Sequence, residues 1–381
     1  MTYLDHNATS PLRPEARAAV AHALELTGNP SSVHAGGRAA RALVEAAREN
    51  VARLVHARAQ DAIFTSGGTE ANALALIGAV QGAAEAGERI TRLFVSAIEH
   101  DSILANAGAL AERSAGLRLE YIPVTPDGVV DLDTLRVMLR EGKGRTLIAV
   151  MAANNETGAV QPLDAVSGLA REYGALLLVD AVQAAGRILI DFEALGTSYL
   201  SLSAHKLGGP QGAGALIVRE GAPFATLIAG GGQERGHRAG TENVSGIAGL
   251  GAVAEDFGDS DRISALRERF ERALLKTAPE TIVFGSRAER LANTSNFALP
   301  GIPAETALIA LDLDRVMVSS GAACSSGKVK PSHVLSAMGV PEDTARCALR
   351  VSFGWNSTEA DVDAAIASLS NLVARSARRA A

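Results

Sequence analysis

Short apolar runs alternate with helical patterns through the middle of the chain, and this alternation predicts the fold class. Most of the runs are apolar at consecutive positions, which is typical of strands buried on both faces. They are Ala62–Phe64, Arg92–Ser96, Thr146–Met151, Ala175–Val179, Tyr199–Ser203 and Ala215–Val218. We therefore predict an α/β fold whose large domain has a mostly parallel sheet covered by helices on both faces.

Two segments nearer the ends of the chain show helical spacing. Arg38–Val55 places Val44 and Val51 on one face of an amphipathic helix. Thr358 and Asp361 have the spacing of a capping box, and an apolar helical pattern follows them. We expect a helix in each place.

The length of 381 residues favours two domains over a single core. Residues after about Gly258 resemble a second α/β unit, with Ser295–Leu299 and Val316–Ser319 as candidate strands. We expect residues 16–256 to form a large cofactor-binding domain and residues 257–381 a smaller α/β domain. Residues 1–15 are expected to be an N-terminal arm that joins the small domain.

Composition excludes several classes of protein. The net charge of −6 does not match a nucleic-acid-binding protein, and no apolar stretch has the length of a membrane span. The two cysteines, Cys324 and Cys347, are too few for a disulfide framework, and neither belongs to a zinc-type pair. No secretory signal opens the sequence. We predict a cytoplasmic protein without a metal site.

Lys206 follows an apolar strand and precedes a glycine-rich turn, in the segment SAHKLGGP. A lysine that forms a Schiff base needs a partly buried place of this kind, where its amine can lose its proton. The alternative is an ordinary surface lysine at a strand end, and the segment alone favours that reading.

Asp180 ends another apolar run, ALLLVD. A carboxylate in such a place is costly unless it meets a cation, and the pyridinium nitrogen of pyridoxal phosphate is one such partner. The alternative is a helix N-cap, a position that aspartate favours. Together, Asp180 and Lys206 at two strand ends favour pyridoxal phosphate.

The turn TSGGTEAN, residues 65–72, lies between a short strand and a helix. Backbone N–H groups at a helix N-terminus, with small residues that permit close approach, form phosphate sites. The same pattern also fits a plain capped turn, so it adds only a weak signal. It lacks the Walker and dinucleotide-binding patterns.

A family resemblance extends from end to end of the chain. The matching motifs are YLDHNAT at 3–9, NPSSVHAGGR at 29–38, FTSGGTEAN at 64–72, EHDSI at 99–103, NNETG at 154–158, VDAVQ at 179–183, SAHKLGGPQG at 203–212, GGGQERGHRAGT at 230–241, SSGAACSSGKVKPSHVL at 319–335 and LRVSFG at 349–354. In them the chain resembles the NifS-like cysteine desulfurases, relatives of the class V aminotransferases. The resemblance implies the fold type I of pyridoxal phosphate enzymes, with a seven-stranded-type sheet.

The resemblance also implies roles for individual residues around pyridoxal phosphate. Lys206 is expected to bind the cofactor covalently, and Asp180 to pair with its ring nitrogen. Gln183 and Asn155 would approach the ring hydroxyl, Asn155 also lying near the substrate, while His100 would stack on the ring and move protons. The residues expected at the phosphate are Gly68, Thr69, Ser203 and His205.

Three further expectations concern the partner subunit and the substrate. Thr241 would reach the phosphate in the partner subunit's site, which implies an obligate homodimer. Arg350 would hold the carboxylate of L-cysteine as a bidentate fork. Lys206 would act as general base, and Cys324 would attack the substrate sulfur and become a persulfide as alanine leaves.

Cys324 lies among glycines and serines, a composition typical of a mobile loop. Such a loop could deliver sulfur to an acceptor or iron–sulfur scaffold protein, and could bring Cys324 into transient contact with an iron–sulfur cluster. Cys347, among apolar residues, fits a buried structural position better.

Other functions stay open at this point. A selenocysteine lyase or a class V aminotransferase would share the cofactor residues, but an aminotransferase would not need Cys324. A cofactor-binding subunit that has lost catalysis and serves as a scaffold is a further alternative. The presence of Lys206, Asp180, His100 and Cys324 argues against it.

Overall fold

A computed structural model describes residues 1–254, 259–320 and 332–380 of the chain. Its largest sheet has seven strands in the order β2-β8-β7-β6-β5-β3-β4, and β8 runs antiparallel to both of its neighbours. The strands are β2 (Ala62–Thr65), β3 (Ile90–Ser96), β4 (Arg118–Ile122), β5 (Arg145–Met151), β6 (Leu176–Asp180), β7 (Tyr199–Ser203) and β8 (Gly214–Val218). The predicted α/β class with a mostly parallel sheet is confirmed.

Helices cover both faces of this sheet because its strands bury residues on both sides. In β3, Leu93 and Val95 join the core on one face and Phe94 joins the core on the other. The helices up to β8 and the one after it are α1 (Pro14–Glu25), α2 (Ala35–Leu54), α3 (Gly68–Glu85), α4 (Asp101–Arg113), α5 (Leu132–Glu141), α6 (Leu163–Glu172), α7 (Phe192–Leu195), α8 (Ala204–Leu207) and α9 (Val244–Val253). Successive side chains of β3 thus point to opposite faces of the sheet, as the two-residue period of a strand requires.

A second core surrounds a smaller antiparallel sheet, in the order β12-β10-β9. The rings of Phe297 and Phe353 pack against Phe270, with centroids 5.6 and 6.0 Å away. The elements of this part are α10 (Ser260–Thr277), β9 (Ile282–Val283), β10 (Thr294–Ala298), α11 (Ala304–Leu313), β11 (Val316–Met317), α12 (His333–Ala337), α13 (Glu342–Ala345), β12 (Ala348–Ser352) and α14 (Glu359–Ala380).

The N-terminal strand β1 (Thr2–Tyr3) belongs to this second part of the molecule. It pairs in parallel with β11, with Thr2 opposite Val316. The next residues then run along the edge of the small sheet, since Asp5 forms a bridge with Ser352. The first ten residues therefore lie between the small sheet and the end of the large one.

Several local predictions match the structure closely. The amphipathic pattern at 38–55 corresponds to α2, and the backbone N–H and hydroxyl of Thr358 both donate to Asp361 in front of α14. The expected strand Ser295–Leu299 is β10, shifted by one residue, whereas Val316–Ser319 is shorter than expected. None of the helices in the described part of the chain has an apolar stretch long enough to cross a membrane.

Candidate active site

The candidate site lies at the carboxyl ends of β5, β6 and β7, where α/β sheets bind their ligands. Asp180 is the last residue of β6 and lies opposite Ser201 in the register of β7. Ser203 ends β7, and the chain turns at once into α8, which holds Lys206. Lys206 therefore stands one short helical turn beyond its strand.

Lys206 has surroundings that favour its neutral amine. Its Nζ donates to the carbonyl oxygens of Asn7 and Ala8, at 2.6 and 2.7 Å. Burial lowers the pKa of this amine to about 8, helped by the positive charges of Arg350 and Arg187. A lysine with this pKa can lose its proton close to neutral pH and act as a nucleophile or base.

Asp180 is a buried carboxylate, with 6% of its surface exposed. Its Oδ1 accepts from the backbone N–H of Val182 at 2.9 Å, and its Oδ2 accepts from the amide of Asn72 at 2.8 Å. No cationic side chain within the described ranges forms an ion pair with Asp180. This carboxylate thus fits a ligand that brings its own positive charge, such as a pyridinium nitrogen.

An open cleft of about 440 Å³ faces the start of α3. Gly67, with φ of 154°, turns the chain into the helix, and a Cβ on Gly68 would lie only 2.8 Å from Val182. The first N–H groups of a helix have no acceptor inside it and attract anions. The cleft is lined by Ala8, Thr9, Ser66, Gly67, Gly68, Thr69, Glu70, Ser203, His205, Gln211 and Gly212. It has the chemistry of a phosphate site.

Gln183, Asn155 and His100 lie around the same strand ends. The amide of Gln183 donates to the Asn7 carbonyl at 3.0 Å, and the carbonyl of Asn155 accepts from the Asn7 side chain at 3.1 Å. His100 caps α4, and its Nδ1 accepts from the backbone N–H of Ser102 at 3.1 Å. Asn7 therefore joins two of the expected cofactor residues.

Arg350 is almost fully buried, with 4% of its surface exposed, in the middle of β12. Its guanidinium donates to Asp5 at 2.7 Å and to the carbonyl of Asn155 at 2.9 Å. Its Nε has no hydrogen-bond partner among the described residues. The geometry leaves Arg350 able to take up a second carboxylate, but at present it is bound to Asp5.

One expected site residue, Thr241, is not assembled with the others. Thr241 is exposed and lies outside the cleft residues, on the segment that follows the 3₁₀ helix Gln233–Gly236. Arg238 of that segment forms an ion pair with Glu70 at 2.8 Å, which ties it to the first turn of α3. Cys324 lies outside the described residues.

Sequence reasoning missed four residues that contact the site. Asn7 and Asp5 lie in YLDHNAT, a motif in which no residue was given a role. Glu99 lies in EHDSI, where only His100 was given one, and Arg187 lies in no quoted motif. Glu99 is wholly buried and accepts from the backbone N–H of Met151. Burial, together with the nearby charge of Asp180, raises the pKa of Glu99 well above its usual range. The signal available in the sequence for finding such residues was a polar side chain among apolar neighbours.

Comparison with known proteins places the chain in a family. The class-V aminotransferase family matches residues 2–365. The cysteine desulfurase IscS of Dictyoglomus turgidum is 41% identical over 95% of this chain and 91% of the relative. A cysteine desulfurase of Cereibacter sphaeroides is 45% identical over 95% of this chain and 92% of the relative. The solved structure of a NifS-like protein from Rickettsia africae has a TM-score of 0.87 and 33% identity, and covers 98% of this chain and 99% of its own.

These matches extend over nearly the whole chain, and they agree with the arrangement of the strand ends. The resemblance seen in the motifs is confirmed, and so is fold type I. The enzymes of this family use pyridoxal phosphate, which the buried Asp180 carboxylate, the low-pKa lysine and the phosphate-type cleft all fit. The chain belongs to the cysteine desulfurases of the class-V aminotransferase family.

Proposed function

We propose that this chain removes the sulfur of L-cysteine, releases L-alanine and holds the sulfur as a persulfide on Cys324. One observation carries the proposal for the cofactor side: Asp180, without an ion-pair partner among the described side chains, ends β6, and Lys206, with a lowered pKa, lies in the helical turn after the neighbouring β7. The family membership supports the choice of reaction. The assignment of the persulfide to Cys324 rests on the sequence motif alone.

In this proposal, residues at the ends of five strands, β2, β3, β5, β6 and β7, hold pyridoxal phosphate. Lys206 binds it covalently, Asp180 faces its ring nitrogen, and Gln183 and Asn155 approach its hydroxyl, with His100 on the ring face. The phosphate is held by Gly68, Thr69, Ser203 and His205. When bound, the cofactor supplies an electron sink for negative charge at the substrate Cα.

The chain's own groups handle the proton and the substrate. Lys206, neutral above about pH 8, accepts the Cα proton. Arg350 exchanges Asp5 for the substrate carboxylate, which positions L-cysteine beside Asn155. His100, capping α4 at the site, exchanges protons with the substrate.

Sulfur transfer is assigned to the thiolate of Cys324. A new S–S bond forms between Cys324 and the substrate sulfur as the substrate C–S bond breaks. The carbon keeps the electron pair of that bond and is then protonated, so alanine leaves. No outside oxidant or reductant is needed.

We further propose that the enzyme is a cytoplasmic homodimer. Exposed Thr241 would contact the phosphate in the partner subunit's site. The expected division also belongs to the proposal: an arm of residues 1–15, a large domain of 16–256 and a small domain of 257–381 with Cys324. The sulfur acceptor would be an iron–sulfur scaffold or another acceptor protein.

The two cysteines provide a matched test of the sulfur assignment. Cys347 is buried and its thiol donates to the carbonyl of Asp343 at 3.4 Å. We expect Cys324→Ser to bind pyridoxal phosphate and respond spectrally to cysteine without releasing alanine, while Cys347→Ser stays active. Mass spectrometry after one turnover without reductant should find the extra sulfur on the peptide that contains Cys324.

Two results would contradict the proposal. Extra sulfur on Cys347, or normal turnover by Cys324→Ser, would contradict the assignment of the persulfide to Cys324. Turnover that requires a keto acid and ignores Cys324 would instead favour an aminotransferase.

A further inference from the structure

Arg187 is a partly buried cation next to Lys206. It follows β6 by one loop, and no carboxylate among the described side chains forms an ion pair with it. Its pKa is lowered to about 10, first by burial and then by the charge of Arg350. Arg187 therefore stays protonated at neutral pH, held by neutral acceptors alone.

The acceptors of Arg187 are all parts of the candidate cofactor site. Its Nη1 donates to the side-chain oxygens of Asn7 and Gln183 and to the Gln183 carbonyl at 3.1 Å. Its Nη2 donates to the carbonyl of Lys206 at 3.2 Å. One guanidinium thus joins the N-terminal segment, the loop after β6 and the helix that holds the reactive lysine.

Asn7, Gln183 and Lys206 are also connected to one another by hydrogen bonds that do not involve Arg187. Gln183 donates to the Asn7 carbonyl, and Lys206 Nζ donates to that same oxygen. A shift of the guanidinium would therefore move Asn7 and Gln183 together with the lysine. A fixed fork of donors is suited to holding several acceptors in one geometry.

The other charges around Lys206 do not cancel the effect of the positive charge of Arg187 on its amine. Arg350 and Arg187 oppose the protonated amine, while Asp5 and Asp180 favour it. Asp5 is already bound to Arg350. His205 and His6 are neutral near pH 7, with pKa values lowered to about 4 and about 3, mainly by burial. Arg13 and Asp259 line a pocket beside the lysine.

We propose that Arg187 is a positioning residue of the desulfurase: it fixes Asn7, Gln183 and Lys206 around the cofactor, and its unpaired charge favours the neutral lysine nitrogen. This inference rests on the proposed function, because it assumes that Lys206 binds the cofactor. It assigns Arg187 no contact with substrate.

The test is a pH titration of the visible absorbance of the holoenzyme. We expect Arg187→Gln and Arg187→Met to bind pyridoxal phosphate and to raise the titration midpoint by about one pH unit, since a like charge is removed. Arg187→Lys keeps the charge and should leave the midpoint near that of the parent enzyme, while losing affinity for the cofactor because its point charge cannot replace the fork.

Arg219→Gln is the control for an arginine removed far from the site. Arg219 is also partly buried and donates to the backbone carbonyls of Thr197 and Phe192, but it is paired with Glu193 at 2.9 Å and lies at the opposite end of β7. Its loss should leave the midpoint unchanged. If both arginines acted only on the stability of the fold, Arg187→Gln and Arg219→Gln would have the same effect on the titration midpoint.

The outcomes separate this inference from the proposed function. If the parent enzyme binds no cofactor at Lys206 after borohydride reduction and peptide mapping, the proposed function fails. If Lys206 carries the cofactor but both uncharged Arg187 variants titrate as the parent does, the role of Arg187 is overturned. Failure of both variants to fold, with Arg219→Gln folded, would also overturn it and make Arg187 structural.

Discussion

The cofactor side of the site and the carboxylate side around Arg350 draw on different parts of the chain. On the cofactor side, each group lies at the end of its own strand or within a few residues of it, as Asp180 ends β6 and Lys206 follows β7. On the other side, Arg350 meets Asp5, which lies 345 positions away. One side is fixed by local strand–turn chemistry, and the other only by the packing of distant segments.

This contrast explains what each side can do without its ligand. The strand ends hold Asp180 and Ser203 in place through the register of the large sheet. Arg350, by comparison, is bound to an internal carboxylate that a substrate would have to displace. We therefore expect the cofactor side to be preformed and the carboxylate side to rearrange on binding.

Loss of Lys206 should have the largest effect on the cofactor side. We expect Lys206→Ala to lower kcat about 10³–10⁴-fold, because both the covalent bond to the cofactor and the base are lost. Alanine release measures the effect, and circular dichroism checks the fold. A variant with near-parental kcat would mean that another lysine does this work.

Asp180→Asn tests whether the carboxylate acts by charge. We expect kcat to fall about 10²–10³-fold, since a fixed charge facing the reacting centre is lost while the shape is kept. Within the described part of the chain the Oδ1 of Asn72 has no hydrogen-bond partner and can accept from the new amide, so folding should survive. Thermal unfolding of the two proteins should be similar, and a parental kcat would reject the ring-nitrogen pairing.

Arg350→Gln addresses the other side of the comparison. We expect KM for cysteine to rise about 30-fold, or about 2 kcal/mol, because a charge-assisted contact with the substrate carboxylate is lost. Asp5→Asn is the control: it removes the internal competitor, so KM should fall or stay level. Equal increases in KM for both variants would show that the Asp5–Arg350 pair is only structural.

The rate at which the apoprotein takes up pyridoxal phosphate should show the lowered pKa of Lys206. Only the neutral amine attacks the aldehyde, so the rate rises with pH below the pKa and levels off above it. With a pKa of about 8 the plateau begins near pH 8, not near the ordinary 10.5 of lysine. Stopped-flow absorbance measures this; a rate still rising beyond pH 9 contradicts a low pKa.

Sequence could predict the cofactor side because strand periodicity and turn composition are local properties. The apolar runs before Asp180 and Lys206 gave both the strands and the edge on which their ends meet. The run Tyr199–Ser203 coincides with β7, but the sequence did not indicate that Lys206 lies in a helical turn directly after it.

The distant contacts had no comparable signal. No sequence feature near Asp5 predicts its contact with Arg350, and none near Arg187 predicts that its hydrogen-bond acceptors are neutral. Such contacts depend on how the small sheet and the N-terminal segment pack, which a periodic pattern does not encode. The site roles assigned to Asn155, Gln183 and Thr241 came from the family resemblance and stay predictions.

The position of Asn7 has a consequence for the order of events on the ribosome. Asn7 is synthesised long before its partners: its backbone N–H donates to the side chain of Ser352, 345 positions later, and its side chain contacts Asn293 and Thr294. These partners leave the ribosome after every strand of the large sheet, and the parts of a chain that are synthesised first generally fold first. The pocket around Lys206 can therefore be completed, and the cofactor enclosed, only once Ser352 has left the ribosome.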